Sequence, residues 1–157
     1  MLLCDSVQVA EGKLFILGGG WSVTGPDPTP SGIAIKLDVE WSELDLPHHW
    51  ELFLVDQDGK EIIVETPEGP QPIEMRGDFQ IGRPTGVPEG IPISLPLAFN
   101  LGPLPLPPGG RYTWRLSMDG HANADWELAF TTRPASEGGT PGVDQGMPGE
   151  EGMPPLA

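Results

Sequence analysis

The sequence predicts an all-β protein, a two-sheet antiparallel β-sandwich of about nine strands with a disordered C-terminal tail. Three observations support this fold class. Short apolar runs alternate with polar residues at a period of two, turn-forming residues separate the runs, and 22 glycines and 20 prolines punctuate the 157 residues. No segment combines helical periodicity with caps, so helix is expected at most as a single turn around residues 42–45.

Four segments alternate most regularly, and each predicts a strand with one face toward water. They are residues 33–41, 74–81, 112–118 and 125–131. Less regular apolar runs predict the other strands at 2–9, 14–17, 50–55, 61–64 and 93–101. Turn residues at Glu11-Gly12, Asp58-Gly59 and Asp119-Gly120 connect successive strands.

Prolines at six positions between residues 91 and 108 predict an edge or extended segment there, because proline cannot donate to a central sheet ladder. A closed barrel is the alternative to the sandwich. Trp50 is the candidate for a buried core tryptophan. The single cysteine, Cys4, is expected to pack as a small apolar side chain in the first strand.

The run from residue 106 to 114 places Tyr112, the only tyrosine, at the start of a strand after a Pro-Gly turn. This arrangement resembles the tyrosine corner of immunoglobulin-like and fibronectin-type sandwiches, in which the hydroxyl binds upstream backbone. The alternative is an ordinary interior tyrosine. With one cysteine, a true antibody-type domain is excluded.

The composition changes after Pro134. Residues 135–157 contain six glycines, four prolines and four acidic residues, with no aromatic residue, lysine or arginine. Such a segment buries too little apolar surface to repay the entropy of ordering. We therefore expect a single β-sandwich domain over residues 1–134 and a disordered acidic tail over 135–157.

The net charge of -15 arises from 23 acidic and 8 basic residues. Since the cations are scattered along the chain, nucleic-acid binding is not expected. The same charge repels anionic lipid, and no apolar stretch reaches the roughly 20 residues that span a bilayer. The chain lacks a basic-then-apolar signal segment, which, with the single cysteine, favours a cytoplasmic protein.

No residue pattern predicts catalytic, cofactor or metal chemistry. His48 and His49 are adjacent, so on a strand they face opposite ways and do not share an ion. Asp56-x-Asp58-Gly59 lacks the remaining ligands of a calcium loop. The Gly18-Gly19-Gly20 run lacks the Lys-Ser/Thr ending and the helix of a phosphate loop. We expect no cofactor and no enzymatic activity.

The candidate partner-binding residues are Gly18, Gly19, Gly20 and Trp21. Tryptophan is enriched at interface hot spots, and the glycines leave the adjacent backbone accessible. In the alternative interpretation, the glycines permit a bulge and Trp21 covers the end of the core. A second candidate is the proline-rich segment 104–108, which is either a ligand for an aromatic groove or a stiff connection.

Several segments are similar to one family of short, mostly actinobacterial proteins known only as a domain of unknown function. They are DSVQVAEGKLFILGGGW at 5–21, GPDPTP at 25–30, IAI at 33–35, NLGPL at 100–104 and PGGRY at 108–112. The resemblance covers nearly all of residues 1–134. It implies a small bacterial cytoplasmic β-sandwich, and it supplies no catalytic residue.

Together these features favour a non-catalytic protein-interaction or assembly module of a bacterial cytoplasm, with a protein partner or self-association. One alternative is a small-ligand or metal-dependent enzyme with a pocket at one end of the sandwich. The other is a structural subunit of a phage-like or shell assembly.

Overall fold

The computed structural model of the protein describes residues 1–135, which form strands and turns and contain no helix. Among these residues there is accordingly no helix that could cross a membrane. The strands are β1 (Leu2–Cys4), β2 (Ser6–Ala10), β3 (Lys13–Leu17), β4 (Val23–Thr24), β5 (Ser31–Val39), β6 (His48–Asp56), β7 (Ile63–Thr66), β8 (Gly69–Pro72), β9 (Glu74–Phe79), β10 (Ile93–Leu101), β11 (Arg111–Met118) and β12 (His121–Thr132). The all-β prediction is confirmed.

Twelve strands are present where about nine were expected. The strand predicted at residues 2–9 is divided into β1 and β2. The chain leaves the sheet of β1 at Asp5, whose main-chain N–H donates to the carbonyl of Leu17 at 3.0 Å. β4 and β8 are short and were not predicted. The predicted tail at 135–157 lies outside the described residues, apart from Ala135.

The strands form two larger sheets and two hairpins. One sheet has the order β1-β5-β10, and the other has the order β4-β12-β11-β6-β9. The pairs β2-β3 and β7-β8 are separate two-stranded units. Every pairing is antiparallel except the short contact between β4 and β12.

The main core cluster contains side chains from both larger sheets. Ile33 and Ile35 contribute from β5, while Leu52 and Trp114 contribute from β6 and β11. Trp114 is only 1% exposed. Trp50 is also buried, as predicted, and its ring centroid lies 5.1 Å from that of Phe99.

A second, smaller cluster lies beneath the β2-β3 hairpin and consists of Cys4, Val7 and Ala34. Because of it, the first half of β5 is buried on both faces, which corrects the prediction of one wet face. Further along, Lys36 and Asp38 do face solvent. Cys4 is fully buried as expected, and burial raises the pKa of its thiol, with the carboxylate of Asp5 adding to the effect.

The predicted hairpin turns are confirmed. Glu11-Gly12 and Asp119-Gly120 each form a two-residue turn in which both residues have positive φ, the geometry of tight hairpins. Asp58-Gly59 lies in the turn closed by the Asp56 N–H and the Lys60 carbonyl at 2.9 Å. Residues 41–45 form hydrogen-bonded turns rather than a turn of helix.

The proline-rich region begins as an edge strand, as predicted. β10 is the outer strand of the three-stranded sheet and pairs only with β5 among the described residues.

Further along the chain, the hydroxyl of Tyr112 donates to the main-chain carbonyl of Pro107 at 2.9 Å. The predicted upstream bond of this tyrosine is therefore present, and the hydroxyl of Thr132 reaches the same carbonyl at 2.9 Å.

Candidate functional site

The glycine run lies at the end of β3, where the chain turns back toward the core. Gly18 has a φ of 61°, and a Cβ at this position would overlap the carboxylate of Asp5. A Cβ on Gly19 would lie 2.8 Å from a methyl group of Ile16. The main-chain N–H of Gly20 donates to Leu3 at 2.8 Å. These glycines therefore permit a close backbone approach.

Trp21 packs on the main core cluster. Its indole meets the ring of Phe130 edge-on, with centroids 6.2 Å apart. The indole N–H is inaccessible to solvent and has no hydrogen-bond partner among the described residues. Trp21 thus covers the end of the core, the alternative drawn from the sequence. Binding of a partner by Gly18, Gly19, Gly20 and Trp21 stays a prediction.

A different surface presents free apolar side chains. Residues that alternate along a strand share a face, and Lys13, Phe15 and Leu17 form the outward face of β3. Phe15 is 54% exposed and Leu17 is 69% exposed. On the opposite face, Leu14 packs against the second core cluster. We call the outward stripe of Lys13, Phe15 and Leu17 the β3 face.

The backbone of β3 is also open on one side. Among residues 1–135, β3 pairs with β2 alone. In a hairpin with a two-residue turn, hydrogen-bonded pairs alternate from the residues that flank the turn, so Lys13, Phe15 and Leu17 bond to β2. The main-chain groups of Leu14 and Ile16 consequently point to the open edge.

Two other sheet edges, those of β9 and β10, carry residues that discourage further pairing. β9 alternates charged side chains at Glu74, Arg76 and Asp78, and β10 contains Pro96. Charges and proline on an edge oppose the addition of another strand. In β3 the charge is confined to Lys13 at its first position. The edge of β3 is therefore the least protected of these three.

Two charges flank β3. Lys13 begins the strand, and the carboxylate of Asp5 lies beside Gly18 at its other end. Neither side chain forms an ion pair with any other residue in the described part of the chain. Among the described residues, β3 thus has an unpaired cation at its first position and an unpaired anion beside its other end.

The sequence profile of DUF6941, described as a family of unknown function, matches residues 1–131. The chain belongs to the DUF6941 family. This confirms the resemblance to a family of unknown function, and the match includes β3 and its flanking charges. The chain matches no curated protein and no solved structure.

The DUF6941 chain also contains a cavity of about 350 Å³ between the ends of its strands. Its apolar walls include Leu37, Phe79 and Trp126, and its polar lining includes His48 and Asp119. These two polar residues are 71 positions apart in the sequence, so no local pattern predicts that they meet.

Both ring nitrogens of His48 lie next to hydrogen-bond acceptors. Its Nδ1 lies 2.8 Å from a carboxylate oxygen of Asp119, and its Nε2 lies 3.0 Å from the main-chain oxygen of Glu43. Both partners are acceptors, so only the imidazolium donates to both. The bond to Asp119 and then the bond to Glu43 raise the pKa of His48, and the bonds from His48 and from the N–H of His49 lower the pKa of Asp119.

The predicted divergence of the two histidines is confirmed, since His48 is buried against Phe79 and His49 is half-buried beside Asp78.

In residues 1–135, no group of three or more His, Cys, Asp or Glu side chains is placed to hold a metal ion. The Asp56 carboxylate accepts from the main-chain N–H of Asp58 and of Lys60, at 2.9 Å each, and thereby shapes its turn.

Proposed function

We propose that this protein is a non-catalytic protein-interaction module that accepts an extended protein strand at the open edge of β3. The observation that carries the proposal is the exposure of Phe15 and Leu17 on a strand that pairs on one side only. Strand addition at an open edge is a recurrent mode of recognition, in which main-chain bonds supply affinity and alternate side chains supply specificity.

An incoming strand would bond to the main-chain groups of Leu14 and Ile16, and its outward side chains would pack beside those of the β3 face. Contacts with the rest of the fold hold the β2-β3 hairpin in position. Leu14 packs on the second core cluster, and the side chain of Asn100 in β10 bonds to the main chain of Val7 in β2. A pre-positioned strand loses less entropy on binding than a mobile one.

The proposed setting is a bacterial cytoplasm, and the proposed fold is an immunoglobulin-like sandwich. The core cluster shared by the two larger sheets and the bond from Tyr112 to upstream backbone both support the sandwich. The buried, unpaired thiol of Cys4 and the net charge of -15 are compatible with that setting.

The test uses the full chain as bait in lysate of the native cell, compared with two variants. Leu17→Asp places a charge on the β3 face, whereas Ile63→Asp places one at another exposed apolar position, on β7. We expect captured proteins to be lost with Leu17→Asp and kept with Ile63→Asp. In the recovered complex, the amides of Leu14 and Ile16 should exchange with deuterium more slowly than in the free chain. Equal capture by all three baits, or unchanged exchange, would contradict the proposal.

A second candidate function is supported by the cavity that contains His48. Its volume of about 350 Å³ suits a small ligand, and the hydrogen-bonded pair of His48 and Asp119 lies in its lining. The bond to Asp119 raises the pKa of His48, and the bond from His48 lowers the pKa of Asp119. Such a pair in a cavity favours the alternative of a small-ligand or metal-dependent enzyme. Native mass spectrometry tests it: a reproducible added mass supports a ligand, and its absence from every native preparation argues against one.

A further inference from the structure

We infer that the strand accepted by β3 is the β3 strand of a second copy of this chain, related by a twofold axis that passes beside Phe15. This inference rests on the proposed function and names its partner. A twofold contact uses one patch twice, so the patch has to complement itself. The backbone, the apolar side chains and the flanking charges of β3 all meet that requirement.

The backbone pairs without a register conflict. When two β3 strands run antiparallel about Phe15, Leu14 of each copy lies opposite Ile16 of the other. These are the two residues whose main-chain groups point to the open edge. Each such pair exchanges two hydrogen bonds, and Phe15 falls at the closely spaced, non-bonded position between them. The two hairpins then become one four-stranded sheet, which is more stable than isolated two-stranded units.

The side chains of the β3 face also match. Across the twofold axis, Phe15 lies beside Phe15 of the other copy, and Leu17 lies opposite the aliphatic stem of Lys13. Aromatic pairs at directly opposite positions are among the favourable cross-strand contacts. The exposed rings and methyl groups of the monomer would become the centre of the contact.

The charges support a second copy over an unrelated strand. Lys13 and Asp5 flank opposite ends of β3, and an antiparallel partner brings the Lys13 end of one copy to the Asp5 end of the other. Two intermolecular ion pairs follow by symmetry. These are the same two side chains that lack ion pairs in the described part of the monomer.

The overall charge gives self-association a distinctive salt dependence. Two molecules of net charge -15 repel each other at long range, and salt screens that repulsion within about 8 Å at physiological ionic strength. Exposed ion pairs contribute little by comparison. Dimerisation should therefore strengthen as moderate salt is added, whereas binding of a basic partner strand would weaken.

The experiment is sedimentation equilibrium of the full chain over a wide concentration range. We expect a reversible monomer–dimer equilibrium that Phe15→Asp weakens by roughly 30-fold or more, the effect of losing an interface hot spot. Ile63→Asp, with the same change of charge at a comparable exposure, should dimerise like the wild type. Thermal unfolding of each variant verifies that the loss of the dimer is not a loss of the fold.

A charge exchange tests the twofold register. Lys13→Glu and Asp5→Lys should each weaken self-association, because each homodimer then places like charges together. Their equimolar mixture should dimerise again, because both contacts in the mixed dimer join opposite charges. Failure of the mixture to recover, with both variants folded, would overturn the proposed register. Open-ended polymers in place of a closed dimer would overturn the twofold contact.

The outcomes separate this inference from the proposed function. A wild-type chain that stays monomeric at every concentration, while Leu17→Asp still abolishes capture of another protein, overturns the second-copy partner and leaves strand addition in place. A chain in which Leu17→Asp changes neither sedimentation nor capture overturns both.

Discussion

The side-chain amide of Asn100 bonds to both main-chain groups of Val7. Its Oδ1 accepts from the Val7 N–H at 3.0 Å, and its Nδ2 donates to the Val7 carbonyl at 2.7 Å. The two residues are 93 positions apart, on β10 and β2. The amide therefore makes the two main-chain bonds that a neighbouring strand would make with Val7. These bonds connect the β2-β3 hairpin to the three-stranded sheet.

Asn100→Ala is expected to release the hairpin. The change leaves the N–H and carbonyl of Val7 without their partner and should lower the free energy of unfolding by about 1 to 3 kcal/mol. Deuterium exchange across β2 and β3 should accelerate, while exchange in β11 stays slow. The control is Asn123→Ala, at an exposed position in β12. Unchanged exchange in the hairpin would show that packing of Leu14 alone holds it in place.

Tyr112→Phe should lower the free energy of unfolding by about 1 kcal/mol. The carbonyl of Pro107 loses one donor but keeps the hydroxyl of Thr132. Adding Thr132→Val removes the second donor, so the double variant should lose more than the sum of the single changes. Urea unfolding of the three variants measures this. Simple additivity would mean that the two hydroxyls do not compensate for each other at this carbonyl.

Trp21→Ala should destabilise the fold by about 2 to 4 kcal/mol, somewhat below the range for a fully buried aromatic side chain. The reason is the loss of packing on the core and of the edge-on contact with Phe130. Chemical unfolding and protein capture are measured on the same variant. Full stability together with lost capture would support the prediction that Trp21 binds a partner.

The pair of His48 and Asp119 should make stability depend on pH. Because the pKa of His48 is raised above 6.5, its contribution is complete below pH 6.5 and is lost as the pH rises through the raised value. Because the pKa of Asp119 is lowered below 3.8, its contribution is present above pH 3.8 and is lost as the pH falls through the lowered value. The pair therefore stabilises most between these limits.

The measurement is the unfolding midpoint of the wild type and of His48→Gln across the neutral and mildly alkaline range. The difference between them should shrink as the pH rises. Asp38, Asp125 and Lys36 also line the cavity around His48. The pKa of His49 is raised as well, because of its bond to Asp78. His121→Gln is measured alongside, because the charge of His121 also lowers the pKa of Asp119. A difference that does not vary with pH would contradict the imidazolium assignment.

Local patterns predicted most of the strands because strand and turn formation depend on near neighbours. The period of two locates the alternating segments, and Glu11-Gly12 and Asp119-Gly120 close hairpins where their sequence indicates. Tyr112 was located as well, because its partner Pro107 is only five positions away. The two-residue strand β4 was missed, since so short a segment carries no periodicity.

The candidate site was not predictable in the same way. Phe15 and Leu17 belong to an apolar run, and such a run predicts burial unless the position of the strand in the sheets is known. The triglycine segment and Trp21 attracted attention by composition, yet they pack close to Asp5, Ile16 and Phe130. Composition identifies unusual residues and does not reveal what covers them.

The sequence by itself determined the all-β class, the main turns and which residues form each apolar run, because each of these depends on residues a few positions apart. Only the tertiary structure decided that Asn100 meets Val7, that His48 meets Asp119, and that β3 is paired on one side. Those contacts follow from the order of strands in the sheets, which depends on the packing of the whole core. The exposure of Phe15 is therefore a property of the fold and not of its own segment.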